Sequence, residues 1–103
     1  MEGRIMLRAK ARLKITTREK SCSDDIRPMI EVGGSFLFSG SIKSPEKEYV
    51  PNRPYDVIIE FDNIEWIVYR SIKSMLAAGK SVFIREGNKV IGEAKIFECG
   101  YEI

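Results

Sequence analysis

Along residues 5–15 the chain alternates without a break: Ile5, Leu7, Ala9, Ala11, Leu13 and Ile15 stand on one parity, and Met6, Arg8, Lys10, Arg12 and Lys14 on the other. A sustained period of two predicts a β-strand with one face on a core and the other in water. The polar run TTREKSCSDD, residues 16–25, predicts a loop. Pro28 suits a strand entrance, and Met29–Val32 reads as a short strand after it. Gly33 and Gly34 punctuate the chain before a strand over residues 35–42, whose interior Gly40 predicts a bulge or a sharp bend. KSPEKEYVPNRP, with three prolines, reads as a surface loop. The β-branched and aromatic run at residues 55–61 predicts a further strand.

Residues 64–78 change period. Ile64, Ile67, Val68, Ile72, Met75 and Leu76 recur at three and four, which predicts one apolar helical stripe, with Asp62 and Glu65 spaced as a capping box and Gly79 as the stop. The β-branched content of IEWIVYRSI leaves a strand open as the alternative. Trp66, Tyr69 and Arg70 fall off this stripe, either as its covering flank or as a contact surface, since aromatics and arginine are enriched in binding hot spots. Last, Ser81–Glu86 and residues 89–97 flank Gly87-Asn88, a turn signal between two strand-like runs that predicts a β-hairpin.

A chain of 103 residues, 44% hydrophobic and 31% charged, is expected to form a single globular domain over residues 1–103 with its own core. Seventeen basic against fifteen acidic residues give a net charge of +2, too small for a nucleic-acid footprint by itself. The distribution is uneven, however: Arg4, Arg8, Lys10, Arg12, Lys14 and Arg18 all precede residue 19. On the outer face of the first strand such charges either keep the strand soluble or form a basic stripe for nucleic acid. No apolar run is long enough to span a membrane and no signal-peptide core is visible, so the expected location is cytoplasmic.

Histidine is absent, which removes Ser-His-Asp and Cys-His catalysis and the commonest zinc ligand. Cys22 and Cys99 either form one bridge or, in a reducing compartment, remain free thiols. Gly79-Lys80-Ser81 matches the tail of a phosphate-binding loop, but the first glycine of that motif would fall on Ser74. A helix before it and a strand after it also invert the required order, so no bound nucleotide is expected. Asp24 with Asp25 and Glu46 with Glu48 are the candidate acid pairs; both lie in loops, with no base or oxyanion donor placed beside them.

The run from Phe83 to Ala94, FIREGNKVIGEA, resembles the closing hairpin of the C-terminal β-barrel domain, the third domain, of the elongation factor Tu family, whose pattern is close to F-x-I-R-E-G-x-x-x-V-G-x-G. Arg27-Pro28 before a strand, and Val50-Pro51 followed by Val57-Ile58-Ile59, are similar to that domain in order and spacing, so the resemblance spans about residues 5–97. The family's P-G-D turn is replaced here by PNRPYD, its loop before R-P is longer, and its short connection into the last hairpin is here the predicted helix. The resemblance implies an all-β fold, a six-stranded antiparallel Greek-key barrel with one short helix inserted before the last hairpin. It also implies a stand-alone copy, without the GTPase domain or the second barrel. In the family this domain contacts the T-stem of tRNA and protein partners. The matching positions here are Arg85, Glu86 and Gly87, with Lys89 beside them, and the glycine would allow close approach of a sugar-phosphate backbone. The same Arg-Glu-Gly also suits a turn that only closes a hairpin and pairs charges across it.

The function expected on these grounds is a non-catalytic module without cofactor or metal that docks on tRNA-like RNA or on a protein of the translation apparatus. Its contact residues would be Arg85, Glu86, Gly87, Lys89, Arg8 and Arg12. The alternative is a protein-binding inhibitor or immunity-type protein that uses the barrel as scaffold and Trp66, Tyr69 and Arg70 as its contact surface.

Overall fold

The computed structural model describes residues 3–16, 22–23, 28–45 and 48–102. In chain order the elements are β1 (Arg4–Ile15), β2 (Cys22–Ser23), β3 (Met29–Val32), β4 (Phe36–Lys43), β5 (Glu48–Tyr49), β6 (Pro54–Glu65), α1 (Trp66–Ile72) with a 3₁₀ turn (Lys73–Leu76), β7 (Ser81–Glu86) and β8 (Lys89–Glu102). Six of the strands close a barrel in the order β1-β6-β4-β3-β7-β8, with every pair antiparallel. The fold is therefore all-β: β3, β4 and β6 neighbour one another in sequence order, and β1 returns beside β6 across a long connection, which makes a Greek key. No helix among the described residues is long and apolar enough to cross a membrane.

The alternation in β1 has the predicted effect. All six residues of the apolar parity are buried, and Arg8, Lys10, Arg12 and Lys14 are exposed. They meet Val57, Ile59 and Phe61 of β6, Ile30 and Val32 of β3, Ile84 of β7 and Ile96 of β8 in one core, where Phe61 packs edge-on against Phe38 with ring centroids 6.1 Å apart.

Closure depends on three register shifts. One lies opposite Met6, where Ile5 pairs with Ile64 but Leu7 with Phe61, and Asn63 takes a left-handed φ of 56°. The second puts Phe97 out of register between Ile96 and Glu98, and the third does the same to Ile91 between Val90 and Gly92. Each extra residue bends its strand and raises the local twist, as closing so small a sheet requires.

Several sequence expectations are corrected. The loop reading of residues 16–25 and of KSPEKEYVPNRP misses a two-residue ribbon, β2 on β5. Tyr49 at its end is fully buried; it shares a 2.8 Å hydrogen bond with Ser44 and packs edge-on against Tyr55. Gly40 makes no bulge, because the registers on either side of it run without a shift. It marks the point where β4 exchanges β3 for β6, and a Cβ there would lie 2.8 Å from the Glu60 carbonyl oxygen. Strand β6 extends to Glu65 and β8 to Glu102, beyond the expected ends at 61 and 97.

The helix is present but starts late, and of its predicted stripe only Ile67 turns away from the core. Ile64 belongs to β6, Asp62 lies within that strand, and Glu65 at the N-cap makes no side-chain cap bond; the Trp66 N–H instead donates to the Gly3 carbonyl at 2.9 Å. Ile72 and Leu76 are buried, Trp66, Val68, Tyr69 and Met75 pack partly on the core, and Ile67 is 67% exposed. Gly79, at φ 89°, ends the segment as expected, and its N–H reaches the Ile96 carbonyl at 2.8 Å.

Candidate functional site

The hairpin of β7 and β8 has the predicted form, with Glu86 opposite Lys89 and Gly87 at φ 62°. Arg85, however, is occupied. Its guanidinium forms an ion pair with Glu31 on the neighbouring β3 and donates to the Asn88 carbonyl at 2.9 Å, and both side chains of the pair are mostly shielded from water. That arrangement braces the turn. Glu86, Gly87 and Lys89 are exposed at the tip.

Arg8 and Arg12 lie elsewhere. From Lys89 to Gly100, the residue opposite Arg8 on β8, the strand runs on the order of 35 Å. The expected contact set is thus split between the hairpin tip and the barrel wall. On that wall the arginines of β1 meet acids directly opposite on β6: Arg4 with Glu65 at 3.4 Å, Arg8 with Glu60 at 2.7 Å and Arg12 with Asp56 at 3.2 Å. Arg12 also lies over the Phe97 ring, 5.3 Å from its centroid.

Glu60 is the buried charge of this wall, and its two carboxylate oxygens receive Lys43 at 2.8 Å and Arg8 at 2.7 Å. The hydrogen bond from Lys43 and then that from Arg8 hold its pKa below the usual carboxylate value, against an opposing push from burial. A depressed folded pKa stabilises the fold above the unfolded value near 4.5. That contribution is lost as pH falls through the folded value. Because both cations remain half-exposed, Glu60→Gln is expected to cost only about 1 kcal/mol at neutral pH. The difference from wild type should vanish in urea melts at the acid end of the titration.

Trp66 and Tyr69 of the alternative contact set do come together. The Trp66 ring lies 5.7 Å from Tyr69 and 5.1 Å from Tyr101, and Tyr69 lies 5.1 Å from Tyr101. Helix α1 contributes the first two rings and the far end of β8 the third, which the sequence reading missed because it ended that strand at 97. Ile67 and Arg70 are exposed on the same short helix. Burial, followed by the neighbouring Cys99 and Tyr101, raises the Tyr69 pKa, and burial raises that of Cys99. Cys99 is a free thiol. Raised in this way it stays protonated at neutral pH and is a poor nucleophile.

Of the candidate acid pairs, Asp24, Asp25 and Glu46 lie outside the described residues, and Glu48 is exposed on β5. The Cys22 side chain is likewise not described, and with Cys99 free no bridge joins the two cysteines. No group of three or more metal-ligating side chains occurs among the described residues. The chain matches no protein-family model, and no curated protein is similar to it in sequence.

Proposed function

We propose that the chain is a non-catalytic docking module that binds a protein partner through the end of the barrel carrying α1. The observation that carries this reading is the Trp66–Tyr69–Tyr101 cluster beside Ile67, whose side chain is two-thirds exposed. Rings fixed against one another lose little further entropy on binding, and an adjacent exposed aliphatic side chain and a free-standing guanidinium complete the composition typical of interface hot spots.

The pairing of Arg85 with Glu31, and of the β1 arginines with β6 acids, favours a protein over RNA. An arginine already neutralised by a carboxylate offers a phosphate chain little net attraction. The six-stranded Greek-key closure is the one implied by the resemblance to the third domain of elongation factor Tu, which supports a partner in the translation apparatus by analogy of fold alone. A cytoplasmic setting belongs to the same proposal, and the free thiol of Cys99 suits a reducing compartment.

A photo-reactive residue at position 67 is expected to trap one protein in cells, with the yield reduced several-fold by Arg70→Glu. The same probe at position 89 should trap none. Trapping at 89 but not at 67 would overturn the assignment.

A further inference from the structure

A second feature lies on the outer wall of the barrel. An open groove of about 350 Å³ runs over β1 and β6, with Val57, Ile58 and Phe97 as its main apolar lining and Lys10, Lys43 and Asp56 as its charged residues. Ile58 and Phe97 are 40% and 45% exposed, large values for such side chains on a sheet wall. The register explains the groove. Lys10 pairs with Ile58 on one side and with Glu98 on the other, while Phe97, out of register beside Glu98, projects outward and raises one bank.

The charges of the groove do not cancel. Asp56 is engaged by Arg12, and Lys43 is engaged by Glu60. Lys10 forms no ion pair or hydrogen bond among the described residues; Glu98 stands opposite it in the register but beyond ion-pair distance. The groove therefore presents an apolar trough with an ammonium at its edge that no ion pair holds, where four cations, Arg8, Lys10, Arg12 and Lys43, face three acids, Asp56, Glu60 and Glu98. What complements it is an apolar side chain with a single carboxylate beside it.

We infer that the groove receives such a pair of side chains from an acidic segment of the partner protein, with Lys10 as the counter-charge. The inference rests on the protein-docking reading above. A protein segment fits better than a free small anion, because a trough open to solvent cannot enclose most of a small ligand's surface, whereas a segment adds contacts beyond the groove. A second hollow of about 210 Å³, lined by Arg8, Glu98, Gly100 and Tyr101, adjoins the first and shares Lys10 and Ile58 with it, so the surface continues along β1 to a ring of the aromatic cluster. The outward position of Gly100 carries no side chain to fill that hollow.

The test uses the full chain, labelled for amide NMR, and the probe acetyl-Ala-Phe-Glu-Ala-amide. Low-millimolar binding is expected, with shifts confined to Lys10, Ile58, Phe97 and their neighbours. Lys10→Gln in the protein, or Glu→Gln in the peptide, should each weaken it about three- to five-fold, the scale of one exposed charge contact. Lys10 is on the surface, so the variant keeps its fold, and an unchanged spectrum outside the groove checks this. Equal binding of the Gln peptide, binding unaffected by Lys10→Gln, or no shift at all would overturn the inference. Binding of hexanoate as tight as that of the peptide would overturn the choice of a protein segment. Trapping at position 67 is read separately, so a silent groove with a trapped partner rejects this inference alone, and loss of both rejects the docking reading beneath it.

Discussion

Phe61→Ala is expected to remove about 3–5 kcal/mol of stability, a large share of the roughly 5–15 kcal/mol that holds a domain folded. Phe61 is fully buried on β6, the strand that joins β1 to β4, and its ring meets Phe38 edge-on. Its register partners are Leu7 on one side and Gly40 on the other, so truncation opens a cavity where three strands converge. The barrel wall around it is continuous and cannot collapse onto the space without changing the register at Asn63. The cost should appear as a lower urea midpoint with little change in slope, since the exposed area on unfolding is almost the same. A loss below about 1 kcal/mol would mean that the ring is not packed as described.

Gly92→Val is expected to be nearly as damaging, at about 3 kcal/mol, for the opposite reason of too much volume. A Cβ at Gly92 would lie 2.7 Å from the Lys14 carbonyl oxygen and 3.3 Å from the Ile15 Cα. Both are backbone atoms at the end of β1. That end is held in place: the Ile15 carbonyl accepts from Asn52 at 2.7 Å, and the Thr16 N–H donates to Ile91 at 2.8 Å. Relief would require prising β1 from β8 beside the β7–β8 register shift that helps to close the barrel. Gly100→Val supplies the control, because nothing lies within 4 Å of a Cβ there, and it should leave the melting curve nearly unchanged. Similar losses for the two variants would contradict the close approach at Gly92.

Strands were legible wherever one parity stayed on the core. Residues 5–15 read correctly because nothing interrupts the alternation, and the 81–97 hairpin because Gly87-Asn88 has only one use between two such runs. Bulges hid the rest. Phe61 and Ile64 are both buried at a spacing of three, which imitates a helix, yet the shift at Asn63 turns two strand residues to the same side. Val68, Ile72, Met75 and Leu76 of the helical stripe do pack on the core and Trp66 and Tyr69 cover its flank, but Ile64 belongs to β6 and Ile67 stands outward. Tyr69 joins Ile72 and Leu76 on the inward side. Ile96 and Cys99 repeat the effect around Phe97, which is why β8 seemed to end early.

The pairing of the basic stripe was illegible for a different reason. Its countercharges, Asp56, Glu60 and Glu65, are more than forty residues away in sequence, and only the β1–β6 register sets each against its arginine. Charge counted along one strand cannot show neutralisation by another. Lys10 is conspicuous only once its neighbours have been paired off, and Tyr101 joins Trp66 and Tyr69 only because β8 runs the length of the barrel.

The most direct test of a protein-docking module is the chemical nature of what the photo-reactive chain traps in cells. Adducts at position 67 should be destroyed by protease and unaffected by nuclease, and position 89 at the hairpin tip should give none. A nuclease-sensitive adduct at position 89, with position 67 silent, would contradict the account and return the function to RNA and the hairpin.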